Sequence, residues 1–237
     1  MVNLSEGVMN LLFPTPILTF TLDNHTKNKE QYFSKIINYY KTNKTNKANW
    51  SRHDKTCTWF DHNIDFFDKQ MRDRINFYLT YLAQEKPKYG YDFSSWFNLH
   101  TENDYMGEHE HHGSICSGIY YFQFNNETDK SAIFVNPART SIDTWNIIND
   151  DNIGYKNKFL THDTSNKNLY IKEGSVVLFP AYLKHYVPAA IKQNNNLRIT
   201  YTFNVVLNTL EKRIKNSDNT NGYIKMNYLD QEPKIIS

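Results

Sequence analysis

Disulfide frameworks, membrane-spanning runs and a strong net charge are all missing from this sequence, and each absence removes a class of protein. Only two of the 237 residues are cysteine, Cys57 and Cys116. They make neither a disulfide framework nor a Cys-x-x-Cys metal site, so a reducing compartment is the default. No apolar run reaches the roughly 18 residues that a membrane helix needs, which predicts no span and no membrane partner. The start, Met1 to Gly7, has neither the basic residues nor the apolar stretch of a secretion signal, so a cytoplasmic location is expected. Lys and Arg number 27 against 25 Asp and Glu, a formal charge of +2. That balance by itself argues neither for nor against nucleic acid, because a local basic patch can hide in a neutral total, though the near-neutral charge makes nucleic acid the lesser expectation as a substrate. No internal repeat is visible.

What the chain does have is aromatic residues. Hydrophobic residues make up 39% and aromatics alone 15%, a composition that supports a core and suits sheets more than helix bundles. The length fits one substantial domain, or two small ones at most; one is expected over residues 1–210, with 211–237 a polar C-terminal tail.

Leu11 to Pro16 opens the domain, and Ile17 to Leu22 alternates like a strand. Tyr32, Phe33, Ile36, Ile37 and Tyr40 recur at helical spacing, predicting an amphipathic helix over about 28–42. The polar residues 42–47 read as loop. Phe67, Met71, Ile75, Tyr78 and Leu82 share one face of a second helix between about 63 and 85, ended by Lys86-Pro87-Lys88-Tyr89-Gly90. Both stripes read as core faces against a sheet. From residue 92 the period changes to two. Strands are expected at 92–100, 115–124, 132–135, 169–171, 176–179 and 197–206, punctuated by turns at Asn125-Asn126, Asn136-Pro137, Glu173-Gly174 and Asn194 to Asn196. Many short strands with no helical pattern between them suggest an antiparallel sandwich or jelly roll over about 92–206, supported by the helices of 28–85. Residues 138–168 form a long polar insertion of the kind that is a lid, a binding loop or plain disorder.

The chemistry concentrates at Met106-Gly107-Glu108-His109-Glu110-His111-His112-Gly113. On an extended strand His109 and His111 project from the same face. Two imidazoles make half of a metal site, and a His-rich surface loop is the other reading. His185 is the candidate third ligand, because it follows the apolar Val176 to Phe179 and Pro180 where a buried strand emerges; a hydrogen-bonded core histidine would look the same. Further on, Arg198, Thr200, Thr202 and Asn204 share one strand face, while Leu197, Ile199, Tyr201, Phe203 and Val205 share the other. In an open sandwich that polar face would be solvated. In a closed jelly roll the Arg198 fork could take a ligand carboxylate bidentately, with the Thr200 hydroxyl beside it.

Taken together, His-x-His, a later His and then Arg-x-Thr resemble the iron(II)/2-oxoglutarate-dependent dioxygenases. Within them the chain is similar to an oxygenase family of marine bacteria and phages, through Leu12 to Ile17, Trp96-Phe97-Asn98, His109 to Ser114 leading into Ser117 to Tyr121, Phe134 to Arg139, Leu178-Phe179-Pro180 with His185, and Arg198 to Asn204. The resemblance implies a double-stranded β-helix (cupin-like jelly roll) and a hydroxylase that uses Fe(II), 2-oxoglutarate and O2, releasing succinate and CO2. It implies His109, His111 and His185 as catalytic metal ligands, with His111 standing where the wider superfamily has Asp or Glu. Arg198 and Thr200 would bind the cosubstrate, with Asn98 on a neighbouring strand face and Ser117 and Tyr121 as further candidates; core packing is the other reading of Tyr121. Glu110 should face away from the histidines unless a bulge re-aims it, and His112 should sit at the rim.

The substrate, a peptidyl side chain or a small metabolite, would be met by loops 44–60 and 138–168. A phage-encoded chain would work in the host cytoplasm, and a homodimer through exposed edge strands is open. The competing class is a cupin-like metal-binding module without oxygenase activity, which would have no need of Arg198.

Overall fold

Two helices brace one face of a sheet, and their positions follow from how their first turns are capped. The computed structural model describes residues 15–43, 47–48, 56–61, 63–83, 90–138, 163–164, 169–190 and 197–207. Helix α1 runs His25–Asn43, three residues earlier than its apolar periodicity suggests, because the Asp23-Asn24 turn sets its start and the Asn24 carbonyl accepts from Asn28 N. At its far end the Asn43 side-chain Nδ2 folds back one turn and donates to the Tyr39 carbonyl at 3.0 Å. Helix α2 runs Lys69–Ala83, starting later than the 63 expected from periodicity. Asp65 takes the Phe67 amide and Asp68 takes the Met71 amide, so local side-chain caps hold 64–68 out of the helix and Asp68 becomes its N-cap. The expected faces do go inward: Phe67, Met71, Ile75 and Tyr78 are buried, and Tyr32, Phe33, Ile37 and Tyr40 pack around buried Ile36.

Among the described residues there are ten strands: β1 Leu18–Thr21, β2 Lys47–Ala48, β3 Thr56–Trp59, β4 Tyr91–His100, β5 Met106–His109, β6 Cys116–Gln123, β7 Ile133–Phe134, β8 Ser175–Pro180, β9 His185–Val187 and β10 Arg198–Leu207. They form a seven-stranded sheet in the order β1-β8-β6-β10-β4-β3-β2 and a three-stranded sheet in the order β5-β9-β7. Every pairing is antiparallel. From β4 to β10 the chain changes sheet at each step, large to small and back. That alternation makes the fold a double-stranded β-helix, mainly β with two supporting helices.

β10 shows why this sequence folds so. Ile199, Tyr201, Phe203 and Val205 enter the core between the large sheet and the helices, while Arg198, Thr200 and Thr202 line the space between the two sheets. A second apolar cluster, with Ile119, Tyr121, Phe134, Val177 and Phe179, fills the rest of that space. β6, paired on both sides by β8 and β10, is buried from Cys116 to Phe122.

Several expectations need correction. Leu169 to Ile171 alternates but forms no strand, for Tyr170 adopts φ 51° and stands 81% exposed. Part of the expected loop 44–60 is strand, since β3 pairs with β4 and β2 with β3. His185 follows a strand that ends at Pro180, as expected, but it lies on the opposite sheet, where it opens β9 after the Pro180 to Lys184 turn. Of the insertion 138–168, the described residues return to β7, where Asp163 bridges to Val135 and accepts from the Tyr186 hydroxyl. The readings of Leu11 to Pro14, most of 44–55, 86–89, 139–162, 191–196 and the tail 211–237 lie outside the described residues. No helix among the described residues is long and apolar enough to cross a membrane.

A polar clamp fixes α1 to the sheet. Glu173 receives Lys29 Nζ at 2.6 Å and the Phe124 amide at 3.2 Å, and His25 bonds the Tyr120 hydroxyl at 2.7 Å. Burial pushes the Glu173 carboxyl up, but Lys29, the Phe124 amide and His25 outweigh it and hold it below the usual carboxylate range. A depressed carboxyl contributes stability above its unfolded-state pKa, and that contribution is lost as pH falls through the folded value. Glu173→Gln is therefore expected to melt at a lower temperature near neutrality and to converge with the parent in acid, as thermal denaturation across pH would show.

Candidate active site

The β5–β9 pairing builds the centre of the site. His109 and His185 are direct cross-strand partners, so both side chains leave the same face. β5 stops at His109, and His111 reaches the same point from just beyond it because its amide donates to the Ala181 carbonyl in the turn before β9. The ring centroids lie 4.3 Å apart for His109–His185, 5.1 Å for His109–His111 and 5.2 Å for His111–His185. One ligand atom from each of the three lies within 4.8 Å of the others.

Their hydrogen bonds favour a metal. His109 Nδ1 donates to the Gly107 carbonyl at 2.8 Å and His185 Nδ1 to the Leu183 carbonyl at 3.0 Å. With the proton fixed on Nδ1, each Nε2 lone pair is left to serve as a ligand. His111 Nε2 is buried with no hydrogen-bond partner among the described residues. An orphaned nitrogen of this kind is costly unless an ion takes it. Burial, reinforced by His109, lowers the His111 pKa to about 3, and burial with both neighbours takes His185 well below its ordinary value. His111 and His185 are thus neutral imidazoles, and with His109 they offer three ring nitrogens, a donor set that suits iron, nickel or zinc. Phe179 packs edge-on against His185 with centroids 4.7 Å apart, and Trp96 lies 5.9 Å from His111. Glu110 turns away and pairs with exposed His112 at 3.1 Å.

Arg198 and Thr200 line the same cavity as the three histidines, with Asn98, Thr202 and Tyr121. Asn98 Nδ2 donates to Thr202 Oγ1 at 3.0 Å, and the Tyr121 hydroxyl accepts the Ala132 amide at 3.0 Å. Arg198 is only 3% exposed, and its Nη1 donates to the carbonyls of Lys130 and Pro188. Burial lowers its pKa to about 10 against the pull of Asp129, Tyr121 and Asp104, which leaves it charged at neutral pH. Ser117 does not join this wall: its hydroxyl is spent on Asn204 Oδ1 at 2.7 Å, and it is not among the residues lining the cavity. His100 was not singled out from the sequence, and Trp96 was named only as part of the Trp96-Phe97-Asn98 segment, yet both line the cavity. The signal was the period-two alternation of β4, which carries Trp96 and His100 to the same face as Asn98.

A double-stranded β-helix with three converging imidazoles and a buried arginine lining one cavity is built to hold a metal ion and an anionic ligand. The family comparison narrows this. Residues 94–204, which run from β4 into β10, match the family described as "Putative 2OG-Fe(II) oxygenase". That segment, just under half of the chain, is similar to the 2OG-Fe(II) oxygenases, enzymes that use iron, 2-oxoglutarate and O2. None of the curated proteins matches the chain. Among solved structures, it is similar to a Pseudomonas putida prolyl-4-hydroxylase (11% identity over 82% of this chain and 94% of that one, TM-score 0.44). It is also similar to HygX from Streptomyces hygroscopicus with nickel and 2-oxoglutarate bound (11% identity, 81% and 82% covered, TM-score 0.46). A third is the non-heme alpha-ketoglutarate-dependent epimerase SnoN from nogalamycin biosynthesis (12% identity, 81% and 76% covered, TM-score 0.48).

Proposed function

We propose that the chain is a hydroxylase that inserts oxygen into a C–H bond of a peptidyl side chain or small metabolite, with His109, His111 and His185 holding Fe(II) and Arg198 holding 2-oxoglutarate. The observation that carries the reading is the shared cavity: three converging imidazoles at one place in it and one buried, charged guanidinium in its wall. Iron and 2-oxoglutarate, when bound, supply oxidative decarboxylation to succinate and CO2 coupled to transfer of one oxygen atom of O2 to the substrate.

The protein's share is binding, orientation and exclusion of water. The carbonyls of Gly107 and Leu183 set the tautomers of His109 and His185. Arg198 offers a charge-assisted grip to the distal carboxylate, where a neutral donor would give about half the strength, and Thr200 on the same strand face adds a hydroxyl. Asn98 and Tyr121 shape the wall beside them, while Trp96, Phe134 and Phe179 keep the histidines in apolar surroundings that limit access of water.

Arg198→Ala tests the division of labour. It is expected to weaken 2-oxoglutarate binding by roughly 30- to 100-fold, the cost of losing one partner of a buried charge pair, while the stoichiometry of bound metal stays the same. Calorimetry on the metal-loaded protein reads both. Unchanged 2-oxoglutarate affinity would return the site to a metal-binding module without this cosubstrate.

A further inference from the structure

Arg198 has a neighbour whose role is not explained by packing alone. β10 and β4 place Arg198 and His100 directly opposite each other, as they do Thr200 and Asn98. Arg198 and His100 are each 3% exposed, and both line the cavity. Arg198 Nη2 contacts His100 Nδ1, while Nη1 is held by the Lys130 and Pro188 carbonyls. We propose that His100 is a positioning residue: its imidazole orients the Arg198 guanidinium so that the remaining N–H fork faces the distal carboxylate of 2-oxoglutarate.

The inference rests on the cosubstrate reading above and adds a residue to it. A guanidinium has five N–H donors and no acceptor, so the contact has one sense only: Arg198 donates and Nδ1 accepts. His100 is then neutral, with its proton on Nε2, because a protonated ring would set two cations against each other in a buried place. A neutral acceptor is what the task requires. An aspartate or glutamate in this position would fix Arg198 equally well but would neutralise it and compete with the ligand's carboxylate. The more distant charges of Asp129 and Asp104 act on Arg198, yet no hydrogen bond joins either to its guanidinium among the described residues. With three hydrogen bonds directed to Lys130, Pro188 and His100, Nε–H and the second Nη2–H are left for the ligand. The arrangement pre-orients the fork before the ligand arrives, which limits the ordering cost of binding.

The test compares 2-oxoglutarate with pyruvate, a 2-oxo acid that can chelate a metal but has no distal carboxylate. Calorimetry on nickel-loaded protein would give both affinities for the parent, His100→Leu, His100→Asn and Arg198→Gln. His100→Leu is expected to weaken 2-oxoglutarate about tenfold, the cost of a mis-set hydrogen bond to a charged group, with pyruvate affinity and metal content unchanged. His100→Asn, whose amide oxygen takes the place of Nδ1, is expected to stay within about threefold of the parent. Should the leucine variant not fold, His100→Gln, with its acceptor one bond further out, is expected to show the same selective loss. A leucine or glutamine variant that weakens both acids alike, or neither, overturns the role of His100. If Arg198→Gln also leaves the preference for 2-oxoglutarate untouched, the cosubstrate reading fails and the inference fails with it. A preference lost in Arg198→Gln but kept in the His100 variants removes His100 alone.

Discussion

Replacing His185 with alanine is expected to lower ferrous-ion affinity by more than about a hundredfold, since even the outer partners of a metal site are worth 10- to 100-fold. His185 is the most enclosed of the three imidazoles. It is 2% exposed, sits across the sheet from His109 and packs against Phe179. Without it, His109 and His111 could supply at most two donors from one short stretch, and two donors do not close one face of an octahedral ion. His112→Ala is the matched control, because that imidazole points outward to Glu110 and its loss should leave bound metal unchanged. Metal analysis after gel filtration in substoichiometric chelator separates the two. Equal retention of iron by both variants would remove His185 from the ligand set.

Gly118→Ala carries the largest expected effect on stability. Gly118 lies on central β6 directly opposite Phe203 on β10, and an added Cβ would come within 2.2 Å of the Phe203 ring. The ring has nowhere to retreat, for it is edge-on to Phe67 at 5.1 Å and to Phe93 at 6.1 Å, all three fully buried. Overpacking a core normally costs about 1–3 kcal/mol, and more where backbone must shift. Here a loss of about 3 kcal/mol is expected, a large part of the 5–15 kcal/mol typical of a domain. Urea denaturation would read it as a lower midpoint at an unchanged slope. Adding Phe203→Leu should recover part of the loss, since the clash is with the ring itself.

How far the chain could be read before its structure depended on whether a residue's role was local. The two faces of β10 and the inward stripes of both helices follow from periodicity alone, and they are where the sequence places them. His109, His111 and His185 could be nominated from spacing, because a metal site leaves an unusual density of imidazoles. The missed features are relational. That His185 opens β9 on the opposite sheet depends on the turn at Pro180, which swaps sheets without any change in composition. β3 escaped because Thr56 to Trp59 is too short to show a period. Tyr170 sits in a run that alternates well, but its positive φ breaks the strand. Ser117 shares a face with Tyr121 yet is diverted by Asn204, a partner 87 residues away. His100 became visible only when β4 and β10 were set in register, because no local pattern tells a cavity histidine from a core one.

The most direct test of the account is an anaerobic titration of the purified protein with Fe(II), then 2-oxoglutarate, followed by visible absorption. The account predicts a charge-transfer band that appears only when both are present, saturates at one equivalent of each, and is absent from His185→Ala. Iron binding without the band would contradict the cosubstrate role of Arg198, and no iron binding at all would contradict the metal centre itself.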